Sequence, residues 1–208
     1  GNMVLNFDGS LRWKGNPSGV SISVPIVVDL DLDGSPEVLM GPHVYRANGT
    51  PYWDYPATLA SNFKSYAVAN FDDDPYPEIV TVLGGTGPRV ALMNHDGSIK
   101  WGPVALSATY NGGAPLVADF DGDGTLEIGV AGATFYQVFN SDGSERWKQP
   151  VYDPSTGAQG STAFDFNGDG RLKIAYLDHG YFYLFDGATG NVDYKRFNSS
   201  LTWIEYPV

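Results

Sequence analysis

The stretch Val117-Ala-Asp-Phe-Asp-Gly-Asp-Gly-Thr-Leu-Glu-Ile-Gly-Val130 carries Asp119, Asp121, Asp123 and Glu127, with Gly124 directly after the third aspartate. A tight loop with this spacing turns several carboxylate oxygens toward one point. Left alone they repel one another, so the arrangement makes chemical sense around a hard cation such as calcium. The stretch recurs. Asp29, Asp31, Asp33, Gly34 and Glu37 form a second copy, Asn70, Asp72, Asp74 and Glu78 a third, and Asp165, Asn167, Asp169 and Gly170 a fourth. Their first residues lie 41, 49 and 46 positions apart (29 to 70, 70 to 119, 119 to 165). A period in the forties is the mark of a repeat architecture.

Each repeat reads alike. An apolar strand comes first, as in Val20-Ser-Ile-Ser-Val-Pro-Ile-Val-Val28, where Val20, Ile22, Val24, Ile26 and Val28 alternate with a period of two. The acidic loop follows, then a second β-rich strand: Glu37 to Met40, Glu78 to Leu83, Glu127 to Val130 and Lys173 to Tyr176. A glycine-containing turn leads to a third strand, such as Val90 to Met93 or Phe135 to Phe139. A hairpin turn comes next, at Asn48-Gly49, Asp96-Gly97, Asp142-Gly143 and the longer Asp186-Gly-Ala-Thr-Gly190. Such turns need positive φ, which Asx-Gly supplies. The fourth strand ends on Trp53, Trp101, Trp147 or Tyr194. Four short antiparallel strands per repeat describe a propeller blade, so the fold expected is all-β.

Blades are expected at 20–55, 63–103, 112–149 and 160–196, with partial blades at 1–15 and 199–208. Val4 to Trp13 match the third strand, turn and fourth strand of a blade. Tyr206-Pro207-Val208 matches Val24-Pro25-Ile26. Either the chain is an excerpt of a larger propeller, or a C-terminal strand pairs with the N-terminal hairpin and hides the sheet edges. Partial rings can also self-associate. Residues 54–65, 103–113 and 149–161 read as polar connectors.

Of the 24 acidic residues, 14 lie in the four loops, which concentrates the net charge of −12 where a cation would neutralise it. That charge argues against nucleic acid as a partner. No apolar run approaches the ~20 residues of a membrane span. Cysteine is absent, so no disulfide framework is available.

An EF-hand opens with the same spacing but needs a glutamate at its twelfth position and flanking helices. Met40 and Val130 stand there, between β-rich flanks. The other plain reading is a set of glycine turns with incidental acids, which the recurrence at blade spacing opposes. The metal ligands expected are Asp29, Asp31, Asp33, Ser35 and Glu37; Asn70, Asp72, Asp74, Tyr76 and Glu78; Asp119, Asp121, Asp123, Thr125 and Glu127; and Asp165, Asn167, Asp169 and Arg171. Ser35, Tyr76, Thr125 and Arg171 hold the seventh position, which lends a backbone carbonyl. Asn70 and Pro75 weaken the loop between the first two strands of the second blade. In the last loop Lys173 takes the ninth position, where its ammonium either occupies the cation's place or swings out and leaves a poor site.

VADFDGDGTLEIGVAGA, residues 117–133, resembles the FG-GAP (VCBS-type) repeat of integrin-like β-propellers, and the likeness extends along the chain. The resemblance implies calcium at the first hairpin of each blade, a ring of roughly six to eight blades and an extracellular setting. It also implies a role in adhesion, glycan binding or the scaffolding of an attached enzyme. Four and a half blades, Asn70, Pro75 and Lys173 depart from its pattern. The fold leaves activity to be argued from sites.

Trp13, Trp53, Trp101 and Trp147 recur at one place in each blade, which fits packing between blades better than a sugar platform; Trp203 lies outside the series. In a strand meander the acidic loops and Asx-Gly turns share one face, and the connectors lie on the other. That second face carries the candidate ligand-binding residues His43, Arg89, His179, Tyr55, Tyr110 and Tyr152. Loops that vary on a rigid scaffold are where binding is expected. No nucleophile signature or histidine metal spacing emerges. Asn48-Gly-Thr50 and Asn198-Ser-Ser200 fit the N-glycosylation pattern and carry no weight without a known host. The expected function is a calcium-stabilised, extracellular, non-catalytic module that binds a protein or carbohydrate. A polysaccharide lyase centred on Arg89, His43 and His179 is the rival, and a pure scaffold the third reading.

Overall fold

The computed structural model describes residues 3–16, 22–59, 63–108, 110–154 and 157–198. Trp203, the Tyr206-Pro207-Val208 strand, the 199–208 partial blade, Val20 and the end of the Asn198-Ser-Ser200 pattern lie outside them. The described regular elements are strands, apart from one 3-10 turn at Ala57–Leu59. A hairpin of β1 (Met3–Leu5) and β2 (Leu11–Lys14) comes first, then β3 (Ile22–Ser23). The first full blade is β4 (Ile26–Val28), β5 (Glu37–Met40), β6 (His43–Tyr45) and β7 (Pro51–Asp54). The second is β8 (Phe63–Ala69), β9 (Glu78–Leu83), β10 (Arg89–Met93) and β11 (Ile99–Ala105). The third is β12 (Leu116–Ala118), β13 (Glu127–Ala131), β14 (Phe135–Phe139) and β15 (Glu145–Pro150). The fourth is β16 (Ser161–Phe164), β17 (Lys173–Leu177), β18 (Tyr181–Asp186) and β19 (Val192–Phe197). Each blade is an antiparallel meander paired in sequence order. The chain is an all-β array of four-stranded blades of the propeller class.

One expected strand divides in two. The alternating run from Val20 breaks at Val24-Pro25: β3 pairs in parallel with β8 of the next blade, and β4 opens the first blade. Proline has no N–H to give a ladder, so a strand through Pro25 cannot pair continuously. The connectors are also less polar than expected. Leu59, Leu106 and Val151 are buried and tie each link to the core.

The core lies between blades. Leu39 and Val44 of the first blade pack with Tyr66, Ile79 and Met93 of the second. Val82 and Leu92 meet Ile128 and Phe139, and Tyr136 and Val138 meet Ile174, Tyr176 and Phe185. Central strands therefore show unbroken burial, as in Glu78–Leu83, because both faces of a blade are covered.

The tryptophans fix neighbouring blades in register. Trp13, Trp53, Trp101 and Trp147 each donate the indole N–H to a carbonyl in the next blade's hairpin turn: Ala47, His95, Ser141 and Gly187. The ring covers the turn glycine. A Cβ on Gly97 would stand 2.8 Å from the Trp53 ring, and one on Gly143 2.8 Å from Trp101. These glycines are required twice, by φ of +86° and +84° and by the indole.

Candidate metal centre

Each acidic loop joins the first and second strands of a blade and is closed by its own carboxylates. At the ninth position Glu37, Glu78 and Glu127 are buried, and one oxygen, Oε2, accepts the backbone N–H of Leu30, Phe71 or Phe120 at 2.7–2.9 Å. That bond satisfies a donor that the turn would otherwise bury unpaired. Oε1 is left facing the other acids. At the first position Asp29 accepts N–H groups from Asp33 and Gly34, Asp119 from Gly122, Asp123 and Gly124, and Asp165 from Asn167, Gly168, Asp169 and Gly170. These N–H groups, led by that of Gly170, hold the Asp165 carboxyl below the usual range.

The second loop closes differently. Pro75 has no N–H and cannot adopt the left-handed φ that Gly34, Gly124 and Gly170 show. Asn70 accordingly accepts from Asp72 N and donates its amide to the carbonyl of Asp74. The fifth-position carboxylates cap the seventh residue throughout: Ser35, Tyr76, Thr125 and Arg171 donate N–H to Asp33, Asp74, Asp123 and Asp169. Leu32 sits at φ +56° where the third and fourth loops place Gly122 and Gly168, so a leucine there is strained.

Three loops gather carboxylates. Oxygens of Asp29, Asp31 and Asp33 lie within 4.8 Å of one another, as do those of Asp72, Asp74 and Glu78, and of Asp119, Asp121 and Glu127. Among the described residues the Asp165 loop forms no such group. Its Lys173 swings away from Asp165 and Asp169 to Asp186 and Asp193, 2.7 Å from each.

The donor set fits a hard divalent cation. Glu37 is 0% exposed, and its Oε1, with Asp31 Oδ1, is buried without a hydrogen-bond partner. An anionic oxygen in that state is costly unless a cation meets it. Burial raises the Glu37 carboxyl above its ordinary range, against the Leu30 N–H. For Glu127 burial dominates again and pushes the carboxyl up to about 7. A pocket lined by Asp33, Ser35, Glu37, Arg46, Ala47 and Asn48 opens over the first loop. It joins an acidic loop to an Asx-Gly turn, so the two share a face as the meander requires.

Sequence reasoning missed the cations. Arg46 Nη1 lies 3.1 Å from Asp31 Oδ2, Lys100 pairs with Asp72 and Arg146 with Asp121. The only signal was a basic residue directly before Trp101 and Trp147, absent at Trp53, where Tyr52 stands.

On the connector face the candidates separate. Tyr55 is 8% exposed and belongs to the core between the first two blades, its hydroxyl pushed far up by burial. This corrects its expected surface role: its ring packs on Trp53 and Tyr66. His43 is buried, with Nδ1 2.7 Å from Asp54 Oδ1. Arg89 reaches the carbonyl of Thr58. Tyr110 and Tyr152 are 54% and 62% exposed. Tyr152 is brought edge-on to His179, 6.1 Å between ring centroids.

The fold and the loops define a repeat protein of the propeller class with acidic first hairpins. Residues 70–130, from the second acidic loop through the third, match the family described as FG-GAP-like repeat, and that segment is such a repeat. No curated protein sequence matches the chain. Among solved structures it is similar to the V. cholerae biofilm matrix protein Bap1, with TM-score 0.77 and 17% identity, covering 99% of this chain and 59% of that one. It is also similar to the exotype rhamnogalacturonan lyase YesX (TM-score 0.62, 17% identity, 92% of this chain, 34% of that one). A rhamnogalacturonan lyase of Bacillus licheniformis is similar too (0.58, 17%, 88% and 30%). The chain thus spans about three fifths of Bap1 and a third of each lyase. At these identities the likeness concerns the fold. No helix among the described residues is long and apolar enough to cross a membrane, which says nothing of a β-barrel.

Proposed function

We propose that the chain is a calcium-stabilised recognition module that works outside the cytoplasm and binds a protein or carbohydrate without turning it over. The observation that carries the calcium reading is the buried Glu37 Oε1, which has no hydrogen-bond partner and only the Arg46 guanidinium 3.7 Å away, beside a converging set of aspartates. Asp29, Asp31, Asp33 and Glu37 would hold one ion, Asp119, Asp121, Asp123 and Glu127 a second, and Asp72, Asp74 and Glu78 a weaker third. The carbonyls of Ser35, Thr125 and Tyr76 complete them. Calcium there supplies charge neutralisation and stiffens each blade's first hairpin. The fourth loop, with its lysine turned to Asp186 and Asp193, is the poorest candidate.

Recognition falls to the opposite face. The exposed rings of Tyr110 and Tyr152 supply stacking surface there. Bap1, a biofilm matrix protein, is the structural relative that favours a matrix or adhesion role. The lyase likeness favours the enzyme reading, which would use His43, held by Asp54, and Arg89, which reaches the Thr58 carbonyl. Incubation with rhamnogalacturonan, followed by ultraviolet absorbance for the unsaturated product, separates them. No product is expected, and the chain should be retained on immobilised polysaccharide or matrix protein, with Tyr110→Ala and Tyr152→Ala weakening that retention. Product formation lost in Arg89→Ala would overturn the non-catalytic reading.

A further inference from the structure

The first three acidic loops each hold a cation supplied by their own blade. Arg46 Nη1 stands 3.1 Å from Asp31 Oδ2 and 3.7 Å from both Asp33 Oδ2 and Glu37 Oε1. Lys100 is paired with Asp72, and its Nζ lies 3.4 Å from Glu78 Oε1. Arg146 is paired with Asp121, and its Nη1 lies 3.4 Å from Glu127 Oε1. Two different chain positions deliver this charge. Arg46 follows the third strand, whereas Lys100 and Arg146 precede the fourth-strand tryptophan. The fourth blade keeps the pair and inverts its sign: the ninth position is Lys173, and those two partner positions are Asp186 and Asp193. One charge pair per blade is therefore retained while its residues and its polarity change.

We propose that Arg46, Lys100 and Arg146 are resident antagonists of the divalent cation, each offsetting part of its loop's charge until metal enters and each lowering the calcium affinity of that loop. The inference rests on the calcium reading above. Competition centres on one atom. Because Oε2 of each ninth-position glutamate is held by a backbone N–H, Oε1 is the oxygen left for an ion, and the guanidinium or ammonium faces it. A side-chain cation and a divalent ion cannot share that space, since like charges about 4 Å apart in a partly buried site repel strongly. Metal entry thus requires the side chain to leave. Arg46 can leave toward solvent, because its side chain is partly exposed; while it is paired with Asp31, its guanidinium carbon lies 4.1 Å from the centroid of the Tyr52 ring. Such a loop keeps its shape without metal and fills over a calcium range set by the competitor.

Calorimetric titration of calcium into the chain, Arg46→Met and Lys100→Met tests this. Lys100→Met is included because the polar contacts of Lys100 are with the carboxylates of Asp72 and Glu78, so no bond between blades is lost. Each variant is expected to bind one calcium about tenfold more tightly, equivalent to about 1.4 kcal/mol. Each should also melt at a lower temperature in chelator. Unchanged or weaker binding in both variants, with the parent binding calcium, overturns the antagonist role and leaves the calcium reading standing. No binding by parent or variants at millimolar calcium removes the calcium reading and this inference with it.

Discussion

Glu127 closes the third loop through the Phe120 N–H while its second oxygen faces Asp121 and Arg146. Burial pushes its carboxyl up to about 7 from 4.5, opposed by that N–H and by Arg146 and reinforced by Asp121 and Asp123. The folded chain therefore holds this proton more tightly than the unfolded chain does. The resulting stability is complete below about 4.5 and is lost as pH rises toward about 7. In chelator, melting temperature is expected to fall between about pH 5 and about pH 7.5 through this group. Glu127→Gln, which keeps an oxygen for Phe120, should flatten part of that fall; identical pH profiles in melts of the two proteins would contradict it. The first-loop Leu32 offers a second test at this scale. Its φ of +56° suits glycine, so Leu32→Gly should stabilise the chain by up to ~1 kcal/mol in denaturant titration, the strain relieved exceeding the entropy glycine adds.

At the scale of elements, the link between a fourth strand and the next hairpin turn decides blade spacing. Gly97 and Gly34 share φ near +86° and +89°, but only Gly97 lies under an indole; a Cβ on Gly34 meets nothing within 4 Å. Gly34→Ala should cost ~1–2 kcal/mol for its φ alone. Gly97→Ala should cost ~1–3 kcal/mol more, because the Trp53 ring must shift. Equal losses in denaturant titration would count against the indole as the spacer. This part of the design was legible. Asx-Gly between alternating runs, and a tryptophan at one place in each blade, mark turn and packing without reference to tertiary structure. The second strands Glu37–Met40 and Glu78–Leu83 were legible to the residue, because the ninth-position glutamate ends one element and starts the next. The run from Val20 misled, since period-two alternation continues through Pro25 while hydrogen bonding does not. Tyr55 misled because a connector position does not reveal whether its ring turns inward. The cations were hidden for a related reason: Arg46 and Lys100 meet equivalent carboxylates from different positions in their blades, so no shared motif flags them.

For the whole molecule, stability comes from burial between blades, and the acidic loops lie along one face of that array. The surfaces that internal blades cover are displayed at the outermost described strands. Phe166 is 60% exposed, whereas Phe120, its equivalent in the third loop, is buried against the fourth blade; Tyr194, at the tryptophan position, is also exposed. The backbones of neighbouring loops touch as well. Leu172 donates its N–H to the carbonyl of Phe120, and a Cβ on Gly122 would stand 2.8 Å from the Gly170 carbonyl oxygen. Stiffening one hairpin therefore braces the next. Calcium that binds only the folded state should stabilise it by a few kcal/mol per site at saturation. The direct measurement is a thermal melt in excess calcium and again in chelator, on the parent chain and Asp121→Ala. Melting temperature should rise strongly with calcium in the parent and less in Asp121→Ala, which keeps the first and second loops. The same melting temperature in calcium and chelator would contradict it and reduce the acidic loops to turns.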